Sequence, residues 1–362
     1  MDMKCEQIKK EKTIKGTKKI MLKLAGMVML LMLCMGAGKV AYAQTTITPP
    51  MLKVGSTSGA KSYQFEVTAD QTLTVPVSVS QAGKVCLEAT TDAFEGYLRV
   101  NFSKSPDPKS QEDFIGVGFP PRTISAYVET PGTYYMHVST SEVQATLNIK
   151  AYETSITVGN AGTLSKGKWV GASGLYEKPA YFKIIVPSSG CIKVETKTIS
   201  KYEDGISTKF TNSKKKSLAQ GMGTVSYYGI NRGTYYVKVD TNAVYKIRYT
   251  FESAADKKNT TKKKAVSLKQ KKTEKGLFIL KEKKSRWYKM TLKKTQTVKL
   301  TFNASTNKNG FSYAIKDSKG KQMASNSLPV GKKQFKKKLK AGTYYLEIFP
   351  SSSSGCYSIK WN

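Results

Sequence analysis

Three copies of one tetrapeptide constrain this chain more than any other feature: Gly132-Thr133-Tyr134-Tyr135, Gly233-Thr234-Tyr235-Tyr236 and Gly342-Thr343-Tyr344-Tyr345. They lie 101 and 109 residues apart, which is the length of a small domain. Each reads as a turn glycine followed by a strand. Alternation then places the first tyrosine and every second residue, as in Tyr235, Val237 and Val239, on the core side. The second tyrosine falls on the other side. By the same parity His137, Lys238 and Glu347 occupy one outward position, and three such different residues there read as a solvated site.

The surroundings of each copy repeat as well. Strands begin at Ala180-Tyr181-Phe182 and Arg286-Trp287-Tyr288, with residues 75–79 in the corresponding place of the first copy, and Gly83 and Gly190 open the next strand. Polar turns follow at Ser103-Lys104-Ser105, Asn212-Ser213-Lys214 and Asp317-Ser318-Lys319-Gly320. Closing strands are expected at residues 145–151, 244–251 and 356–361. Short runs rich in Val, Ile, Thr, Tyr and Phe, with turn signals every 8 to 12 residues or so and no amphipathic helix of useful length, predict an all-β chain. The expected architecture is three tandem antiparallel β-sandwich domains at residues 44–152, 153–254 and 266–362, with a Lys-rich linker at 255–265.

The pattern of an aromatic strand start, a glycine-bounded turn, a hairpin, a GTYY strand and a final Tyr-x-Ile-type strand resembles the bacterial pre-peptidase C-terminal domain. The likeness covers most of residues 153–254 and 266–362 and is looser over 44–152. It implies a jelly-roll-like sandwich and a non-catalytic appendage of exported proteins, serving targeting, substrate contact or secretion. The acidic hairpin of many family members is replaced here by residues 206–212 and 311–317. Calcium binding is therefore not carried over.

Ahead of the repeats, residues 1–23 carry eight lysines, residues 24–38 are uncharged, and Ala41-Tyr42-Ala43 offers a small-x-small exit. This is the layout of a signal peptide over residues 1–43, with an uncleaved anchor as the alternative. The uncharged run is shorter than the roughly 20 residues of a membrane span. An exported chain with no integral membrane segment after cleavage is expected. Cys86, Cys191 and Cys356 are too sparse for a disulfide framework; they read as partly buried thiols, with one pair among them as the alternative.

Charge divides the chain further. The formal net charge is +35, from 60 Lys and Arg against 25 Asp and Glu. Residues 44–152 are near neutral at −2, residues 153–254 carry +8, and residues 255–362 carry +23. Of the basic residues in that last segment only Arg286 is an arginine. Lysines are mobile point charges without a planar fork, so they suit diffuse attraction to a polyanion rather than bidentate docking or reading of a base sequence. The clusters Lys262-Lys263-Lys264, Lys271-Lys272, Lys332-Lys333 and Lys336-Lys337-Lys338 are the expected contacts with an anionic cell-envelope polymer or acidic polysaccharide. Residues 256–264 also read as a self-repelling, flexible connector.

Catalytic chemistry finds little support. With one histidine in the chain, imidazole pairs are excluded. Asp107, Glu112 and Asp113 form an acidic cluster in a longer loop of the first repeat, conceivable as a hydrolase pair or a calcium loop but simpler as a solvated loop. Gly116-Val117-Gly118 and Gly221-Met222-Gly223 lack the context of a phosphate cradle. Trp169, Tyr135, Tyr236 and Tyr345 are candidates for stacking sugar rings. No cofactor and no metal site is expected, and the oligomeric state is left open. The leading expectation is an exported, non-enzymatic binding protein of the cell surface. A carbohydrate-binding array, or an accessory subunit of a secreted hydrolase, is the alternative.

Overall fold

The computed structural model describes residues 51–362 except 57, 70, 95–96, 110–113, 200–204 and 222. The expected signal peptide, and Glu112 and Asp113, lie outside the described residues. The chain is all-β: six sheets are stacked in pairs around three separate apolar cores. Among the described residues the helical structure is a single 3-10 turn, Lys262–Lys264, and no helix is long and apolar enough to cross a membrane.

The second and third sandwiches each join a five-stranded sheet to a four-stranded one, and the first follows the same strand order with one strand added to its second sheet. In the third, the larger sheet runs Val266–Ser267, Arg286–Leu292, Gly342–Phe349, Phe311–Asp317, Gln322–Leu328. The smaller runs Thr273–Phe278, Gly355–Trp361, Gln296–Thr306, Gly331–Leu339. All pairs in this sandwich are antiparallel except the first strand of the larger sheet, which adds in parallel. The first sandwich carries an extra strand, Lys61–Thr68, paired with Gln144–Thr154.

The GTYY strands Gly132–Thr140, Gly233–Asp240 and Gly342–Phe349 form the middle strand of one five-stranded sheet in each sandwich. Their glycines have φ of 152°, 157° and 145°, values that a residue with a Cβ adopts only under strain. The first tyrosine of each motif donates its hydroxyl to the carbonyl four residues upstream: Tyr134 to Thr130 at 2.8 Å, Tyr235 to Asn231 at 3.1 Å and Tyr344 to Lys340 at 3.1 Å. A ring anchored in the core thus clamps the turn that feeds its own strand, which accounts for the repetition of this Gly-and-Tyr pair.

The sandwiches are not beads on loose string. Between the first and second, Lys84 is buried and donates from Nζ to the Gly174 carbonyl at 3.1 Å and to Asn242 Oδ1 at 2.9 Å, beside a small cluster of Cys86, Tyr152 and Val244. Between the second and third, Gly229 forms an isolated parallel bridge with Ile279 and accepts from Leu280 N at 2.8 Å. A Cβ on Gly229 would be driven into the carbonyl oxygen of Phe278, so the backbones can meet here only across a glycine.

Residues 256–264, read as a self-repelling connector, are fastened to the third sandwich. Asp256 Oδ1 accepts from Arg286 at 2.9 Å, and buried Asn259 exchanges bonds with the Trp287 backbone at 2.7 and 2.8 Å. Lys262 lies over the Tyr345 ring, 4.6 Å from its centroid. Specific hydrogen bonds outweigh lysine repulsion over so short a run.

Candidate functional site

The lysine-rich third sandwich was expected to present its charge as runs; the fold presents it as a face. Along Gln296–Thr306 the residues Val298, Leu300, Phe302 and Ala304 point into the core, so Thr297, Lys299, Thr301, Asn303 and Ser305 point out. Register carries this parity across the sheet. Lys336 lies opposite Lys299, Lys338 opposite Thr297 and Lys332 opposite Asn303. On the other side Lys360 lies opposite Thr301, and Lys275 opposite Ser358. The outward positions of these four strands therefore hold Lys275, Lys299, Lys332, Lys336, Lys338 and Lys360, spaced by Thr, Ser, Asn and Gln and, at one end, by Leu277 and Cys356, with no carboxylate.

Strands lie about 4.8 Å apart and alternate residues about 6.8 Å along a strand, so neighbouring ammonium groups sit within a Debye length of about 8 Å at physiological salt. Lys336 directly facing Lys299 is an unfavourable cross-strand pair that sheet stability alone would not select. Lys275 is compensated by Glu252 of the second sandwich at 2.5 Å, which holds its pKa above the ordinary lysine value. Among the described residues the other five make no ion pair.

The anticipated clusters are divided by this geometry. Lys332, Lys336 and Lys338 belong to the face, and exposed Lys271 and Lys272 extend it at the end of the sheet, where Lys271 N donates to the Trp361 carbonyl at 2.6 Å. Lys333 and Lys337 have the opposite parity; Lys337 turns to the other sheet and donates to the Met323 carbonyl at 2.5 Å. Lys262 packs on Tyr345, on the larger sheet. Lys263 and Lys264 are exposed on the same turn, away from the lysine face. Lys275, Lys299 and Lys360 were missed because each stands alone in sequence. The alternation Val298-Lys299-Leu300 and Ile359-Lys360-Trp361 signalled their outward direction, and only strand pairing brings them together.

His137 requires a correction. It is 1% exposed rather than solvated, because residues 103–105 fold over it. Its Nδ1 meets Thr74 Oγ1 at 3.0 Å, and Nε2 meets Ser103 Oγ and the Ser105 carbonyl, each at 3.0 Å. Glu347, at the equivalent position, is also buried and paired with Lys316 at 2.8 Å. Burial pushes the His137 pKa below the ordinary histidine value, against an opposing effect of the Ser105 carbonyl. Because the folded value is lowered, stability is complete above the unfolded pKa of about 6.5 and falls as pH drops through the folded pKa. With one imidazole in the chain, its carbon-bound proton resonances in an NMR titration should report a midpoint below 6.5. A midpoint at or above that value would contradict the burial.

The aromatic candidates each have a covered ring face. The Arg248 guanidinium lies 4.5 Å from the Trp169 ring and donates to Glu195 at 2.7 Å. Lys215 covers Tyr236 at 5.7 Å, and Tyr135 stacks on His137 at 6.4 Å. Any sugar stacking there competes with these contacts. Asp107 is exposed and ties its own turn by accepting from Lys109 N at 2.9 Å. Among the described residues no group of three or more His, Cys, Asp and Glu is placed to hold a metal ion.

No family model matches the chain, and no curated protein matches it. Solved structures with some likeness include the pre-peptidase C-terminal domain of a Bacillus anthracis collagenase, 13% identical over 31% of this chain and 100% of that one, TM-score 0.25. A periplasmic g-type lysozyme inhibitor from Aeromonas hydrophila is 17% identical over 28% and 95%, TM-score 0.22. The CUB1-EGF-CUB2 region of human MASP-1/3 is 7% identical over 53% and 99%, TM-score 0.19. Scores this low carry no argument for this chain, whose β-sandwich fold rests on its own strands and cores.

Proposed function

We propose that this is a non-catalytic binding protein of the cell exterior, held on an anionic polymer by the lysine face of its third sandwich. The observation that carries the reading is the convergence of six lysines on one sheet face without a carboxylate among them. A face that accepts the Lys336–Lys299 repulsion gains when a polyanion screens it. The ligand class is a flexible polymer bearing repeated phosphate or carboxylate groups. Lysines without a planar fork read charge density rather than covalent detail. The repeated GTYY clamp and strand order support reading the three sandwiches as tandem copies of a domain like the pre-peptidase C-terminal one. Export, through a signal peptide at residues 1–43, is part of the same proposal. The sugar-stacking alternative is disfavoured by the covered ring faces.

Salt dependence is the test. On immobilised polyphosphate or purified wall polymer the protein should be retained at low ionic strength and released by about 0.5 M NaCl. Its apparent affinity should fall with a log–log slope of about −3.5, roughly −0.7 for each of five engaged lysines. Retention that ignores salt, or none at low salt, would overturn the reading.

A further inference from the structure

We propose that Cys191 and Cys356 form a dithiol pair that converts to a disulfide joining the second and third sandwiches. The backbone brings them together. Cys191, on Gly190–Thr198, lies opposite Gly229, and Cys356, on Gly355–Trp361, lies opposite Leu277. Gly229 is in turn bridged to Ile279 and pressed on the carbonyls of Phe278 and Gly355. The two thiols line one cavity of about 230 Å³ together with Glu252, Lys275, Asn303 and Ser305, close enough for each to shift the other's pKa. The glycine that allows the close backbone approach thus sits beside both cysteines. Leu277, an outward residue that is 1% exposed, is buried at the same junction.

The thiols are not equivalent. The neighbouring Cys191 thiol pulls the Cys356 pKa down against burial and the Glu252 carboxylate, and the nearby Lys275 ammonium adds to the lowering. The same contact, together with burial, pushes Cys191 up. Cys356 is half-buried and Cys191 fully buried, so Cys356 is the attacking thiolate and Cys191 the resolving thiol. The oxidant is a low-molecular-weight disulfide of the glutathione class. Cys356 Sγ attacks one of its sulfurs, the S–S bond breaks, and one thiolate leaves. Cys191 then loses its proton to solvent and attacks Cys356 Sγ, expelling the second thiolate. Two protein thiols are oxidised, one small disulfide is reduced to two thiols, and no other electron carrier is needed.

Oxidation would fix the second sandwich against one end of the lysine sheet, since Cys356 and Ser305 occupy the same outward face as Lys275 and Lys299. The proposal stands apart from polyanion binding, and either can fail while the other holds.

The test uses the full chain, equilibrated overnight with oxidised glutathione, alkylated under denaturing conditions and digested without reductant. The expected product is the Cys191 peptide joined to the Cys356 peptide, released by dithiothreitol, with alkylation at both positions reduced by about tenfold or more. The Cys356→Ser variant should give no such species and leave Cys191 alkylated. Unchanged alkylation of both cysteines in the wild-type chain overturns the proposal, as does linkage of either to Cys86. Because the wild-type chain gives the decisive readout, a folding defect in the variant does not confound it.

Discussion

A variant carrying K299Q, K332Q, K336Q and K360Q should lose nearly all retention on a polyanion, with its log–log salt slope reduced by about 2.8, roughly 0.7 for each lost charge. At 0.1 M salt this corresponds to a fall in affinity on the order of a hundredfold or more. Its fold should be intact and even slightly steadier, by a few tenths of a kcal/mol, because the Lys336–Lys299 opposition is removed. The control removes the same number of charges elsewhere, as K263Q, K264Q, K283Q and K284Q, all exposed but outside the face. The control should keep at least half of the logarithmic affinity lost by the face variant. Equal losses in the two variants would mean that net charge, and not the face, does the binding.

Arg286→Met should strongly destabilise the third sandwich. Its side chain is 2% exposed, donates to Asp256 at 2.9 Å and to both oxygens of Glu282 at 2.8 and 2.9 Å, and lies over the Phe278 ring at 5.2 Å. Removing it leaves two carboxylates facing a buried apolar side chain without their shared cation, and breaking a buried pair in this way costs about 3 kcal/mol. The partners are partly exposed, which places the expected loss at the low end of the usual range for such pairs. Urea unfolding should show a midpoint lower by about 1 M or more with an unchanged slope. Arg286→Lys should recover only part, because an ammonium cannot serve both carboxylates with a planar fork. A midpoint in the methionine variant within error of wild type would show that packing alone holds the site. Since Asp256 lies on the connector, limited proteolysis between residues 255 and 265 should also become faster.

Much of the fold was legible from local chemistry. The GTYY motif announced a turn glycine, an inward tyrosine and a strand, and these are the clamp and the middle strand of one five-stranded sheet in each sandwich. Alternation correctly placed Tyr134 and Tyr344 in the core. It misjudged His137 because parity tells which side of a sheet a residue occupies, and not whether a loop such as residues 103–105 covers that side. The lysine face was half legible for a related reason. Runs such as Lys336-Lys337-Lys338 look like one feature in sequence, yet neighbours in a strand point to opposite faces, and Lys337 is lost to the other side. Lys299 and Lys360 become partners of Lys336 only through pairing register, which no local pattern carries. Neither does local pattern bring Cys191 to Cys356. That contact depends on how two complete sandwiches meet across Gly229.

The lysine face is a sheet surface whose charges repeat at the spacing of strands and alternate residues, and this regularity has a kinetic consequence. A groove or pocket stops its ligand at one position, whereas a lattice of similar point charges offers a polymer chain many nearly equal alignments separated by low barriers. Binding through it would be tenacious yet mobile: each contact breaks and reforms with a neighbouring anion while the rest hold. A molecule held this way diffuses along its polymer instead of standing still on it, and its residence time grows with polymer length even when the strength of each contact does not.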